Sequence, residues 1–200
     1  MKQGYILRLA ESGIMIALAI GLSLITLFRA PQGGSVTAAS MVPLIIISYR
    51  HGAAHGILTG VVYAIVHMLV LGFWAPPVET VLNFGLVIFL DYIVAYGVLG
   101  LAILFAKFEN KQVSVALSCL IVSFLRFVCH YLSGIMIWGY FAPEGQSPYV
   151  HSLLYNGSYM LFEAIITAVA MIGLVNAAPQ LFEMLNRSKK QIPADSLREV

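Results

Sequence analysis

The chain has 200 residues, of which 60% are hydrophobic and only 10% are charged. Soluble globular domains carry about a quarter charged residues, so this composition excludes a soluble enzyme and a nucleic-acid-binding protein. The formal net charge of +2 is small, and the basic residues cluster in short segments between apolar runs. The composition therefore indicates a protein embedded in a lipid bilayer, whose orientation the basic segments report.

Six apolar runs follow one another along the chain. A bilayer core about 30 Å thick needs about 20 residues per helix, and lipid offers backbone groups no partner outside the helix. We therefore predict an all-α bundle of six transmembrane helices, forming one domain over residues 1–184, with a polar tail at 185–200. The predicted spans are 13–28, 35–49, 56–73, 81–106, 113–138 and 152–178. The second run is short and contains Pro43, so five spans remain an alternative.

The basic residues between the runs are distributed asymmetrically. With six spans and a cytoplasmic start, the outer loops carry only Arg29. The inner segments carry nine basic residues: Lys2, Arg8, Arg50, Lys107, Lys111, Arg187, Lys189, Lys190 and Arg198. Positive residues favour the cytoplasmic side, so this bias predicts that both termini are cytoplasmic.

The first run is predicted to be retained, because no small-residue cleavage site follows it. It contains Gly13 and Ala17, a pair of small residues four positions apart. Such pairs permit close approach of another helix. The partner is either a helix of the same bundle or a separate membrane protein.

Ionisable residues inside the apolar runs carry most of the functional information, because each is costly in lipid unless it is paired or functional. The fourth, fifth and sixth runs contain four such residues, Asp91, Arg126, His130 and Glu163. A rise of about 1.5 Å per residue places them roughly 12–18 Å below the outer ends of their helices. With Asn156 and Trp138 above them, they predict a polar cavity that opens to the outside.

Arg126 is expected to pair with Asp91 or Glu163. One arginine against two carboxylates leaves a formal charge of minus one, unless a carboxyl is protonated or His130 is charged. A cationic ligand would balance that charge. Trp138 is either an interfacial belt residue or a stacking partner, and a flat aromatic cation would gain stacking and cation-π energy beside it. His130 is either a hydrogen-bonded residue of the bundle or a contact for the same ligand.

Several catalytic and cofactor motifs are absent from the sequence. The chain has no GxxxxGK[ST] phosphate loop, so ATP-driven work requires another subunit. It also lacks HExxH and GxSxG, and Cys119 and Cys129 have no zinc-site spacing. We predict no catalytic residues, no metal site, no cofactor and no nucleic-acid partner.

Four short segments, which run from the fifth apolar run through the following loop into the sixth, resemble a known family. They are 130–134 (HYLSG), 138–139 (WG), 142–148 (APEGQSP) and 155–157 (YNG). These segments are similar to ThiT, the thiamine-specific S components of energy-coupling factor (ECF) vitamin transporters. Residues 90–96 (LDYIVAY) resemble the family's acidic-tyrosine motif, and 33–37 with 41–43 resemble its first loop and second helix.

The resemblance implies a six-helix protein of the bacterial cell membrane that captures thiamine from outside. It implies docking on an energising module of one transmembrane coupling protein and two ATPases. The residues that match family thiamine contacts are Asp91, Tyr92, His130, Gly134, Trp138 and Asn156. His151 stands where members can have a tyrosine contact, and Gly13 and Ala17 resemble the small pair that docks on the coupling protein.

Thiamine has a charged thiazolium and a flat aminopyrimidine. We expect Asp91 to balance the thiazolium charge, Trp138 to stack on a ring and Asn156 to read the pyrimidine edge. His130 is expected to stack or to donate a hydrogen bond. The first outer loop lacks the tryptophan found in some members, since Gly33 and Gly34 occupy that region.

Two other classes of function remain open at this point. A stand-alone proton-coupled carrier of thiamine or another organic cation would use Asp91, Glu163 and His130 as titrating groups. An intramembrane enzyme would need a nucleophile and a base, and no such pair is recognisable.

Overall fold

The computed structural model describes residues 2–182, which form a bundle of α-helices with one short β-hairpin. The helices are α1 Lys2–Leu24, α2 Val42–His51, α3 Ala53–Leu71, α4 Val81–Phe105, α5 Lys111–Met136 and α6 Pro148–Ala177. The hairpin strands are β1 Thr26–Arg29 and β2 Ser35–Thr37. The predicted all-α membrane bundle is confirmed. The predicted polar tail, 185–200, lies outside the described residues.

Five of these helices are long and apolar enough to cross a bilayer within the described part of the chain. The exception, α2, has 10 residues and would reach only about 15 Å at the usual rise. The predicted second span, 35–49, therefore combines strand β2, a short loop and α2. Pro43 lies in the first turn of α2, where no intrahelical N–H bond is required, so it starts the helix instead of breaking it.

The N-terminal helix differs from the predicted span 13–28. α1 begins at Lys2, and residues 26–28 form part of β1. β1 pairs with β2 in antiparallel register, with Phe28 opposite Val36 and Arg29 opposite Ser35. The backbone N–H of Gly33, at φ 93°, donates to the Ala30 carbonyl (3.1 Å), which tightens the turn. The apolar sequence continues past Leu24, but the Gly33–Gly34 turn folds it back as a hairpin.

Helix α2 lies at the centre of the bundle. All residues from Val42 to Tyr49 are buried, and this explains why the helix is apolar on every side. Leu44, Ile45 and Ile47 are almost fully enclosed by the neighbouring helices. The short crossing is therefore stabilised by protein packing around it and has little contact with lipid.

Helix α4 departs from regular α-helical geometry in two places. Ile88–Val94 forms a π-helical turn and Val98–Leu101 a 3₁₀ turn. On the α3 side the backbones meet through glycines, because a Cβ at Gly60 would collide with the Tyr96 carbonyl and one at Gly100 with the backbone of Gly56. The close packing with α3 leaves the π turn facing α5.

The bundle has two chemically different ends. At one end, Glu11 of α1 accepts hydrogen bonds from Arg50 (2.6 and 3.0 Å) and lies 2.7 Å from His51 Nε2, tying α1 to the α2–α3 turn. At the opposite end α1, α3 and α5 finish, and the hairpin folds over them. A large cavity opens at that second end.

Candidate functional site

A cavity of about 330 Å³ opens between α1, α3, α4, α5, α6 and the hairpin. This volume is within the range of sites that enclose a small organic molecule. Its charged and histidine residues are Arg29, His67, Asp91, Arg126, His130 and Glu163. Its aromatic residues are Phe73, Trp74, Tyr92, Tyr96, Trp138, Tyr155 and Tyr159. The cavity is thus walled by rings and carries both signs of charge.

Asp91 is the most strongly hydrogen-bonded acid of the cavity wall. Its Oδ1 accepts from His130 Nδ1 (2.9 Å), and its Oδ2 accepts from Ser133 Oγ (2.6 Å) and Trp138 Nε1 (3.0 Å). The carboxylate comes from the π turn of α4, and its partners come from α5 and the 3₁₀ turn that follows it, Trp138–Phe141. Three donors on one carboxylate fix its orientation.

Tyr92 and Trp74 close one side of the cavity. The backbone N–H of Trp74 donates to the Tyr92 hydroxyl (3.3 Å). The Trp74 indole lies against Gly33, where a Cβ would collide with its Nε1. Trp74 comes from the second outer loop and was missed in the sequence analysis, which found no tryptophan in the first. The sequence feature that could have identified Trp74 is its rarity, since the chain has two tryptophans.

Asn156 lies on the cavity wall, and its side chain bonds mainly to protein. Its Nδ2 donates to the His130 carbonyl (3.2 Å) and to Ser152, while its Oδ1 accepts from the Tyr159 hydroxyl (2.9 Å). An amide oxygen accepts two hydrogen bonds, so Oδ1 keeps one acceptor position for a ligand.

Gly134 and His151 do not line the cavity. Gly134 is buried where α5 meets α6, and a Cβ there would collide with Ser152 Oγ. Its role in this structure is to allow close helix packing. The His151 ring stacks on Tyr155, with centroids 6.0 Å apart. Tyr155, which was not predicted from the sequence, supplies a phenol group to this part of the cavity wall. Its hydroxyl accepts a hydrogen bond from the Gln32 N–H (2.9 Å).

Arg126 and Glu163 both line the cavity; within residues 2–182 Arg126 has no carboxylate at salt-bridge distance, and its pairing with an acid stays a prediction. Glu163 is 2% exposed and instead accepts from the Thr37 N–H (2.6 Å) and hydroxyl (2.7 Å). Arg126 donates to the Met41 sulfur (3.0 Å) and lies over the Tyr96 ring. Packing of the hairpin against α6 gives Glu163 neutral donors, which sequence periodicity does not reveal.

The charged residues of the cavity lie at separate positions along its wall. Arg29, on the exposed strand β1, lines the cavity and, with Arg126, balances the two carboxylates when the histidines are neutral. The formal charge of minus one predicted from the sequence did not include Arg29. Because Asp91 and Arg126 have no direct contact, the negative charge stays local to Asp91.

Gly13 and Ala17 lie far from this cavity, on the exposed outer face of α1. Within the described residues, no atom outside the local helix lies within 4 Å of a Cβ built at Gly13. Neither residue is used for packing within the bundle.

The fold and the cavity together define a multi-pass membrane protein with an aromatic-walled cavity large enough for a small organic molecule. Residues 9–183 match the family model described as Thiamine transporter protein (Thia_YuaJ). The thiamine transporter ThiT of Bacillus subtilis (strain 168) is 34% identical over 191 residues, which cover 89% of this chain and 95% of the relative. The chain belongs to this bacterial thiamine transporter family, so the resemblance seen in its sequence is confirmed.

Two further comparisons agree with this result. The thiamine transporter ThiT of Lacticaseibacillus paracasei is 29% identical over 186 residues, covering 86% of this chain and 88% of the relative. The solved structure of ThiT from Listeria monocytogenes aligns with a TM-score of 0.76 at 21% identity, covering 90% of this chain and 98% of that one. The structural comparison shows a shared fold.

Proposed function

We propose that this protein captures thiamine at the outer face of the membrane, as the substrate-binding S component of an ATP-driven ECF transporter. The observation that carries the proposal is the Asp91 carboxylate, held by His130, Ser133 and Trp138 inside an aromatic-walled cavity. A fixed anion among rings suits a flat organic cation.

The proposed contacts follow from the chemistry of thiamine. The permanently charged thiazolium lies near Asp91, and the Trp138 and Trp74 indoles offer flat faces to its two rings. His130, fixed by Asp91, stacks or donates from the same wall. The aminopyrimidine edge meets the free acceptor position of Asn156 and the Tyr92 side of the cavity.

The orientation of the bundle is proposed from its charges. The cavity opens at the end where α1, α3 and α5 finish. Exposed or half-buried basic residues Arg8, Arg50, Lys107 and Lys111 lie at the other end, where those helices start or α4 finishes. The positive-inside rule then places the basic end and both termini in the cytoplasm and the cavity towards the exterior.

Energy for uptake is proposed to come from a partner. The sequence contains no phosphate-binding loop, so ATP hydrolysis belongs to the two ATPases of the energising module. Gly13 and Ala17 leave an exposed strip on α1 where a coupling-protein helix can approach closely.

Reconstitution tests this proposal. Proteoliposomes with the chain alone should bind thiamine and show no uptake under a pH gradient, whereas adding the energising module and ATP should start uptake. Gly13→Leu should remove uptake and leave thiamine affinity unchanged. Gly4→Leu, at an exposed glycine of α1 nine residues away and therefore on the opposite side of the helix, is the matched control that should retain both. Uptake by the chain alone under a pH gradient would instead support the proton-coupled carrier.

A further inference from the structure

Arg126 places a guanidinium on the cavity wall with weak partners. One terminal nitrogen donates to the Met41 sulfur (3.0 Å), and the guanidinium carbon lies 4.7 Å from the Tyr96 ring centre. Its Nε is buried and has no hydrogen-bond partner in the part of the chain that the structure describes. A thioether is a poor acceptor for a group that carries five N–H donors.

Both carboxylates of the cavity are already engaged. The oxygens of Asp91 accept from His130, Ser133 and Trp138. Those of Glu163 accept from the backbone and the hydroxyl of Thr37. No acid among residues 2–182 lies within salt-bridge distance of Arg126. The protein therefore leaves most of the hydrogen-bonding capacity of this arginine unused.

Unused donors of a charged group are costly away from bulk water, and an acceptor that enters the cavity relieves that cost. Arg126 repels the cationic part of a ligand, whereas Asp91 attracts it. The two residues therefore make one part of the cavity wall positive and another part negative. A ligand with a positive ring and an oxygen-bearing chain fits this charge arrangement in one orientation.

On the basis of the proposed function, we infer that Arg126 is a specificity residue that binds the oxygen-bearing end of the ligand. The ligand chemistry is a hydroxyl, or the phosphate ester of that hydroxyl, on an organic cation whose ring lies at Asp91. A guanidinium donates to either group, and its planar fork matches phosphate oxygens closely. Selectivity at that end of the ligand then depends on Arg126.

A ligand series on the purified full chain tests the inference. The probes are thiamine, the analogue in which hydrogen replaces its hydroxyl, and thiamine monophosphate, each titrated by calorimetry. The wild type should bind the deoxy analogue about tenfold more weakly than thiamine, because the analogue leaves Arg126 unsatisfied. Arg126→Met should bind thiamine about tenfold more weakly and the deoxy analogue nearly as well as the wild type does.

The outcomes separate the sources of the oxygen. A loss confined to the monophosphate in Arg126→Met assigns Arg126 to the phosphate, and a loss for thiamine as well assigns it to the hydroxyl. An equal loss for all three probes, or no loss, overturns the inference. Failure of the wild type to bind any probe would refute the proposed function and this inference with it.

Two further variants control for folding and charge. Lys107→Met removes an exposed basic residue remote from the cavity and should leave all three affinities unchanged. Arg126→Lys keeps the charge and loses the Nε–H and the planar fork. It should bind the monophosphate less tightly than the wild type and more tightly than Arg126→Met, so it tests the inference if the methionine variant is unstable.

Discussion

Asp91 is the residue on which the charge argument depends. It stands in an apolar helix, and its three donors come from another part of the chain, His130, Ser133 and Trp138. Those donors hold the carboxylate in place on the cavity wall. The residue is therefore prepared for a cation that enters the cavity.

Asp91→Asn should weaken thiamine binding by about 2 kcal/mol or more, because the variant removes the charge that balances the desolvated thiazolium. Calorimetric titration measures the change. Glu79→Gln removes an exposed carboxylate that does not line the cavity, and it should leave the affinity unchanged. Equal affinities for Asp91→Asn and the wild type would show that Asp91 does not face the thiazolium.

Tryptophan fluorescence should report occupancy of the cavity, since both tryptophans of the chain, Trp74 and Trp138, line it. We expect thiamine to quench the wild type, and Trp138→Phe and Trp74→Phe each to retain part of that quenching. Trp138→Phe should also lose about 1 kcal/mol of binding free energy with its hydrogen bond to Asp91. If either variant retained all of the quenching seen in the wild type, the tryptophan that it replaces would not contact the ligand.

At the scale of single residues, the sequence predicted those members of the candidate site whose residue types are rare in apolar runs. Asp91, His130 and Trp138 stand out because polar groups at membrane depth need a reason. Trp74 and Tyr155 did not stand out, because aromatic residues at the ends of helices are common. Their places in the cavity depend on how the outer loops fold back, which spacing along one helix does not determine.

Among the elements, α4 shows how local irregularity positions a functional group. The π turn over Ile88–Val94 carries Asp91, and π turns occur often at functional sites. The sequence predicts a continuous helix over this region, and its apolar periodicity gives no sign of the turn. Contacts across the bundle stabilise it, including the bonds from α5 to Asp91 and the glycine contacts with α3.

The hairpin is held to α6 by Glu163 and Thr37. Thr37→Val keeps the shape of the side chain and removes the hydroxyl that donates to Glu163 (2.7 Å). The buried carboxylate then has one donor fewer, so the variant should lose about 1.5–3 kcal/mol of stability. A lower melting temperature in detergent would show this loss.

Thr167→Val on α6 is the matched control for that substitution. Thr167 is also buried, but its hydroxyl has no hydrogen-bond partner among residues 2–182, so its removal should leave stability unchanged or raise it. If both valine variants melted at the same temperature, the tie between the hairpin and α6 would contribute nothing.

For the whole molecule, composition and the apolar runs were sufficient to predict the membrane class and the helical bundle. They were insufficient for the second crossing, where α2 is half the expected length. Residues 35–41 read SVTAASM, a composition that does not by itself exclude a helix, and the pairing of β2 with β1 decides against one there. That choice brings Thr37 to Glu163 and makes the hairpin part of the cavity wall.

The two ends of the bundle carry different functions in this account. The cavity end binds the vitamin, while the outer face of α1 and the basic end are left for a partner. Capture should therefore be complete without ATP or any other subunit, and only uptake should require the energising module. Binding by the isolated chain is the step on which every later step depends.

Calorimetric titration of the purified wild-type chain with thiamine, without ATP and without a partner protein, tests this claim most directly. We expect saturable binding of one thiamine per chain, with much weaker binding by Asp91→Asn under the same conditions. Heat that never saturates, or equal binding by the two proteins, would contradict it.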